Sequence, residues 1–241
     1  MRAIILVAGR GSRLPKHLSK DPKSFLKVGK NTIIEKLIQN FLLAGIKKIA
    51  LVTGYKQNKF IKFKLKTFYN QKWKNTNMVY SLNKASRWLA THNCIVSYGD
   101  IFYEKKAIEN LLKDKNPLTI SYDPFWKKLW DKRFSNPLSD AETFKITKNK
   151  KIIEIGKKTS KINDIQGQYM GLMKFEPKGW KNFKKCLKKD FNNDFDNLYL
   201  TDVFQKLIEN KISIKASRYN GKWAEVDSKK DYLVMKKIFK D

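Results

Sequence analysis

The sequence is poor in the residues that build most metal centres and nucleophilic sites. Its 241 residues include two cysteines, Cys94 and Cys186, and two histidines, His17 and His92. The cysteines stand far apart with no metal-ligand spacing, so they read as free thiols. The histidines have no partner motif, which argues against a zinc site or a His-based triad. Long apolar runs are missing too. No stretch approaches the roughly 18 residues of a membrane-spanning helix. The apolar run Ala3–Ala8 is too short for a signal-peptide core, and Gly9, Gly11 and Arg13 interrupt it. The chain therefore reads as soluble and cytoplasmic, with no membrane insertion. Repeats, low-complexity tracts and Pro/Gly linkers are absent as well. With 41% hydrophobic residues the chain can bury a substantial core.

Acidic residues are scarce: 22 Asp and Glu face 52 Lys and Arg, for a net charge of +30. Arginine is scarcer still, at six. Readers of nucleic acid favour clustered arginine for bidentate contacts. Here lysine is spread along the whole chain, alongside abundant Asn and Ile, as expected of coding bias in an AT-rich genome. No specific nucleic acid partner is expected. A positive field does favour an anionic substrate.

Ala3-Ile-Ile-Leu-Val7 has no polar alternation and reads as a buried parallel strand. A glycine-rich turn follows. Thr32 and Glu35 form a capping-box pattern, the spacing of Ile34, Leu37, Ile38, Phe41 and Leu42 is helical, and Gly45 ends the helix. Lys48–Val52 is a second buried strand, closed by Gly54. This strand–helix–strand unit predicts a parallel sheet. Further strands are expected at Cys94–Tyr98, Leu118–Tyr122, Tyr169–Phe175 and Ile212–Ala216. Helices are expected near 105–112, 181–188 and 201–209. Residues 144–155 read as a hairpin turning at Lys148–Lys150. Residues 123–140 read as irregular and aromatic. Trp223–Asp227 leads into a C-terminal helix. The fold class is α/β: a Rossmann-like three-layer sandwich, a mostly parallel mixed sheet, and a β-rich insertion over its C-terminal edge.

A glycine-rich turn after a buried strand exposes consecutive N–H groups. Gly9 and Gly11 permit close approach, and Arg13 and Lys23 add mobile charge, which suits phosphate. The turn lacks the third glycine of a dinucleotide fingerprint and the Gly-Lys-Ser/Thr of a P-loop. Glycine pairs also serve simple packing, so the loop alone leaves both readings open.

Five motifs in order extend it: Ala3-Ile-Ile-Leu-Val-Ala-Gly-Arg-Gly-Ser-Arg-Leu14, Pro22-Lys23-Ser-Phe-Leu26, Ile33-Ile-Glu35, Ala44-Gly-Ile46 and Val52-Thr-Gly-Tyr55. Together they resemble the nucleotidyltransferase superfamily that activates sugar phosphates and phosphocholine. One departure is Lys16-His17-Leu18, where the family usually has Pro-Leu-Thr. The resemblance implies one domain over 1–241, with a nucleotide-binding half at about 1–115 and an acceptor-binding half at about 116–241. It implies nucleotide contacts from Leu6, Ala8, Gly9, Arg10, Gly11, Ser12, Arg13, Lys23 and Gly99. It also implies that Asp100, in Ser97-Tyr-Gly-Asp-Ile101, and Asp227, in Ala224-Glu-Val-Asp-Ser228, hold Mg²⁺, with Mn²⁺ able to substitute. Two carboxylates plus phosphate oxygens and water make a suitable magnesium shell. Each aspartate could instead be a helix cap or turn residue.

Thr76-Asn-Met-Val-Tyr-Ser-Leu82 resembles the phosphocholine cytidylyltransferase branch, and implies that Asn77 and Ser81 lie against the nucleotide. The Gln and Gly-Thr pair usual in sugar-nucleotide enzymes are missing there. Asp140–Phe144 and Asp164–Gly171 resemble the same branch and its phosphonate-using relatives. The expected partners are therefore CTP and a small anionic phospho-acceptor. The expected reaction is transfer of CMP with release of pyrophosphate, activating a cell-surface, capsule or lipid headgroup component. Trp126, Trp130 and Tyr169 could cage a quaternary ammonium, or pack as an ordinary lid. Asp140, Glu142 and Asp202 could attract a cationic acceptor, though Asp202 also suits a first helical turn. Glu154 and Glu225 complete the candidate acceptor set. The expected catalytic residues are Arg13, Lys23, Asp100 and Asp227. Two other readings stay open: a sugar-1-phosphate nucleotidyltransferase, and a non-catalytic nucleic-acid-binding or regulatory relative. Nothing in the sequence chooses between monomer and homodimer.

Overall fold

A computed structural model describes residues 1–239. The last two residues of the expected 1–241 domain lie outside that range. Along the chain run β1 (Arg2–Val7), β2 (Lys27–Val28), β3 (Asn31–Thr32), α1 (Ile33–Leu43), β4 (Ile49–Thr53) and β5 (Lys66–Tyr69). Next come α2 (Met78–Lys84), α3 (Ser86–Thr91), β6 (Cys94–Tyr98), β7 (Ile101–Tyr103), α4 (Lys106–Lys113) and β8 (Leu118–Asp123). Then follow α5 (Lys127–Arg133), β9 (Glu142–Ile146), β10 (Ile152–Lys158), β11 (Gln168–Phe175), α6 (Pro177–Phe191) and α7 (Leu200–Glu209). The chain closes with β12 (Lys215–Arg218), β13 (Trp223–Glu225) and α8 (Lys229–Ile238).

Seven strands form the main sheet in the order β12-β8-β11-β6-β1-β4-β5. Only β11 runs against its neighbours; the rest pair in parallel. This is the expected mostly parallel mixed sheet. Apolar clusters on its two faces explain why the central strands read as unbroken apolar runs. Around Ile5, one cluster joins α1, α4 and α8; around Val96, the other joins α2, α6 and α7.

The capping box at Thr32 and Glu35 is present, with both reciprocal hydrogen bonds made. Three expectations need correction. Residues 123–140 are not simply irregular: they contain α5, whose Leu129 and Trp130 turn into the core. Helix α6 starts at Pro177, earlier than its basic run suggests, because proline fits the first helical turn. The last sheet strand begins at Lys215, where pairing with β8 starts; Ile212 N still donates to Leu207 O at the end of α7, at 2.9 Å.

Register brings the site together. Leu6 pairs with Tyr98, so the loops after β1 and β6 leave the sheet side by side. There Gly99 has no room for a side chain: a Cβ would meet Val7 Cγ1 at 2.4 Å and Leu6 O at 2.7 Å. Strand β13 pairs with β7, Glu225 opposite Ile101, and Val226 N donates to Asp100 O at 3.0 Å. Asp227 thus arrives beside Asp100 from the far end of the chain.

Candidate active site

The loop after β1 is anchored at both ends and open between. Ala8 O accepts from Tyr55 N at 2.9 Å, and Leu14 N donates to Gly11 O at 3.1 Å. Among the described residues, no N–H group from Gly9 to Arg13 donates to another protein group. Such free, consecutive donors suit phosphate oxygens. Gly11 has φ +78°, and a Cβ there would lie 2.3 Å from Lys23 Cγ. Its missing side chain lets the Lys23 stem run underneath.

Lys23 follows Pro22 at the start of a single 3₁₀ turn. Its Nζ donates to Asp100 Oδ2 at 2.9 Å, to Asp227 Oδ1 at 2.6 Å and to Val226 O at 3.1 Å. Arg13 Nη2 donates to Asp227 Oδ1 at 2.7 Å. Burial works against the charge on Lys23, but Asp100 and Asp227 outweigh it and raise its pKa. Burial likewise works against a charged Asp227, and Lys23 overrides it, holding the carboxyl below the usual range. The second oxygen of Asp100, Oδ1, is buried with no hydrogen-bond partner.

A third cation supports this cluster from behind. Arg133, at the end of α5, is 1% exposed at its side chain. Its Nε donates to Asp231 Oδ1 at 2.9 Å and its Nη1 to Glu225 Oε2 at 3.1 Å, and Nη2 lies 3.8 Å from Asp227 Oδ2. Burial pushes the Glu225 carboxyl up, against the pull of Arg133. Arg133 escaped the sequence reading. Its one signal was its type, one of six arginines in a lysine-rich chain.

Arg13, Lys23, Asp100, Glu225 and Asp227 line a cavity of about 410 Å³. Of the expected residues, Leu6, Gly9, Arg10, Gly11, Ser12, Arg13, Lys23, Asn77, Gly99, Asp100, Glu225 and Asp227 all face it. Tyr98, Tyr199 and Met78 face it as well and were not foreseen. Asn77 lies at its rim as the cap of α2, and its Nδ2 donates to Asn197 O at 3.3 Å.

Other expected residues lie elsewhere. Ala8 is buried behind the loop. Ser81 points inward and accepts from Asn70 Nδ2 at 3.0 Å. Trp126 and Trp130 do not form a cage with Tyr169. They are 4% and 3% exposed, with their indole N–H groups given to Ile165 O and Asp140 Oδ2. The cation over Trp130 is Arg133, 4.9 Å from the ring centroid. Tyr169 stands behind Tyr98, edge to face at 6.0 Å. Asp202 caps α7, accepting from Tyr199 N at 2.7 Å. Glu154 pairs with Lys145 on the hairpin. Both cysteines are free and buried, and burial pushes their thiols up to about 12.

The residues present fit a divalent ion. The donors are hard carboxylate oxygens, and one of them is buried without a partner. No group of three His, Cys, Asp or Glu among the described residues could hold a metal alone. Magnesium commonly completes such a two-carboxylate set with phosphate oxygens and water. No helix among the described residues is long and apolar enough to cross a membrane.

Residues 3–123 match the MobA-like NTP transferase domain family. The CTP:phosphoglutamine cytidylyltransferase of Campylobacter jejuni subsp. jejuni serotype O:2 is 38% identical over 97% of this chain and 98% of that protein. The structure of the inositol-1-phosphate CTP transferase from T. maritima superposes with a TM-score of 0.77 at 20% identity, covering 99% of this chain and 96% of that one. That of the CTP:phosphocholine cytidylyltransferase from Streptococcus pneumoniae gives 0.75 at 20% identity, covering 99% of each chain. These two likenesses establish the fold.

Proposed function

The chain belongs to the MobA-like NTP transferase family and is a nucleotidyltransferase, and from that premise we propose that it moves CMP from CTP to a small phosphorylated acceptor. Its main support is the 38% identity, over nearly the whole chain, to a cytidylyltransferase that acts on phosphoglutamine. A phosphorylated glutamine is accordingly the first acceptor to try; phosphocholine and phosphonates follow. The CDP-linked product is an activated donor for later modification of a surface polysaccharide or lipid headgroup. Residues from 1 to about 115 bind the nucleotide, and those from about 116 onward shape the acceptor side.

An acceptor phosphate oxygen attacks the α-phosphorus of CTP in line. The new O–P bond forms as the bond to the β-phosphate oxygen breaks, and pyrophosphate leaves. The attacking oxygen is already anionic, so no strong general base is needed, and no histidine lines the cavity. The work is positioning and charge neutralisation. The free N–H groups of Gly9–Arg13 and the Arg13 guanidinium hold the β- and γ-phosphates. Lys23 moves to the α-phosphate and neutralises it. Asn77, at the rim, and Gly99, which leaves room beside the loop, flank the nucleoside. Asp100 and Asp227 would hold Mg²⁺, or Mn²⁺ in its place. When bound, the ion would supply positive charge to the triphosphate and help align it with the acceptor. Glu225 and Arg133 hold Asp227 from behind.

The test is a panel of four nucleoside triphosphates against a phosphorylated glutamine, phosphocholine, aminoethylphosphonate and sugar 1-phosphates, read as pyrophosphate release. Strong release is expected only with CTP, and most with the phosphorylated glutamine. Preference for UTP or dTTP with a sugar 1-phosphate would replace this reading with the sugar-nucleotide one.

A further inference from the structure

A lysine waiting for substrate keeps donors free, and Lys23 keeps none. An ammonium has three hydrogens. Those of Lys23 go to Asp100 Oδ2, Asp227 Oδ1 and Val226 O. Its side chain is 13% exposed, and the stem lies under Gly11, where a side chain would block it. The lysine is therefore built into the aspartate pair. To touch a phosphate it must first let go.

The geometry points to a second role for Lys23: in the nucleotide-free protein it is a resident counter-ion that joins Asp100 to Asp227 and keeps divalent cations out until a triphosphate draws it away. This rests on the reading of Asp100 and Asp227 as metal-holding residues. Three observations carry it. Both carboxylates touch the same nitrogen, at 2.9 and 2.6 Å, so a cation entering between them meets a positive charge already in place. Arg13 adds a second positive group on Asp227 at 2.7 Å. The lysine is also an incomplete partner, because Asp100 Oδ1 stays buried and unpaired beside it. The site holds charge in reserve for a better ligand.

A triphosphate changes the balance. It brings several negative charges to the loop, and a flexible ammonium can follow them. Asp100 and Asp227 are then released together, with phosphate oxygens at hand to complete a magnesium shell. The consequence is an order of events: nucleotide and metal enter together, and metal does not enter first.

Manganese binding without nucleotide tests this, read by electron paramagnetic resonance of free Mn²⁺. The wild-type chain is expected to bind weakly. Lys23→Met, which removes the charge and keeps most of the volume, is expected to bind at least about tenfold more tightly. Lys23→Arg, which keeps the charge, is expected to resemble wild type. Mg²⁺ should raise the melting temperature of Lys23→Met and leave that of wild type unchanged. Gly11→Ala offers an independent route, since its Cβ would displace the Lys23 stem. It too is expected to admit Mn²⁺, should the methionine variant not fold. Equal Mn²⁺ affinity in wild type and in whichever of these variants folds would overturn the proposal. The readout uses no CTP, so a silent triphosphate panel would sink the proposed reaction and leave this comparison standing.

Discussion

Lys23 and Asp100 meet at 2.9 Å inside the cavity, and each has a chemical task the other cannot do. Lys23→Ala and Asp100→Ala are each expected to cut turnover by about 10²-fold or more, the usual effect of losing one charge-stabilising group. Steady-state pyrophosphate release checks this, and near-wild-type turnover in either would sink the mechanism. Arg133 acts one step further back. It touches three carboxylates and stacks on Trp130 and Phe134. Removing one partner of a buried ion pair costs about 3–5 kcal/mol, and a domain of this size loses roughly 2–4 °C per kcal/mol. Arg133→Ala should therefore melt roughly 6–20 °C below wild type by calorimetry; a fall under about 2 °C would show that the network stands without it. The loop was legible because a glycine-rich turn follows a buried strand, and Lys23, Asp100 and Asp227 were legible through the motifs that resemble the family. Ser81, Trp126 and Trp130 were not. A serine or tryptophan looks the same in sequence whether it faces a crevice or the core, and only the packing of α2 and α5 decides.

Helix α1 was legible to within a residue or two because its cap is written locally, in Thr32 and Glu35. Strand β5 was not. It is a short edge strand, Lys66-Thr-Phe-Tyr69, mostly exposed, and pairing with β4 alone defines it. The hairpin β9–β10 was foreseen in place, and Glu142 was a candidate acid, but its burial was not foreseen. Glu142, at the start of β9, is pushed up to about 7 by burial, with Asp140 and Asp202 adding and Lys158 opposing. The ordinary value is 4.5, so the folded chain holds this proton more tightly than the unfolded one. Its linkage term therefore favours the folded state most at low pH and declines as pH rises from about 4.5 to about 7. Glu225 contributes with the same sign, so the informative comparison is between variant and wild type. Glu142→Gln should melt a few degrees above wild type at pH 8, and the gap should close toward pH 5. A gap that does not change with pH would mean that Glu142 titrates as an ordinary exposed acid.

The whole molecule sets what no single element could. Asp100 and Asp227 are joined by the register of β13 on β7, a long-range pairing that local sequence does not announce. Family motifs made the pair legible; periodicity did not. Charge is the other global property. The surplus of 30 positive charges is spread over the surface, while the cavity itself gathers Arg10, Arg13 and Lys23 around the open loop. A diffuse positive field raises the encounter rate of a triphosphate, and salt screens it over about 10 Å at 0.1 M. Within the cavity the contacts are short and partly buried, and salt weakens them much less. The two effects separate in the kinetics. At fixed Mg²⁺, raising KCl from about 20 to about 300 mM should lower kcat/KM for CTP by about 3–10-fold and change kcat by less than about twofold. If kcat/KM holds steady, the lysine surplus is passive and only the charges of the cavity matter. If kcat falls in parallel, salt is reaching the Lys23–Asp100–Asp227 cluster itself, and that cluster is more open to solvent than its burial implies.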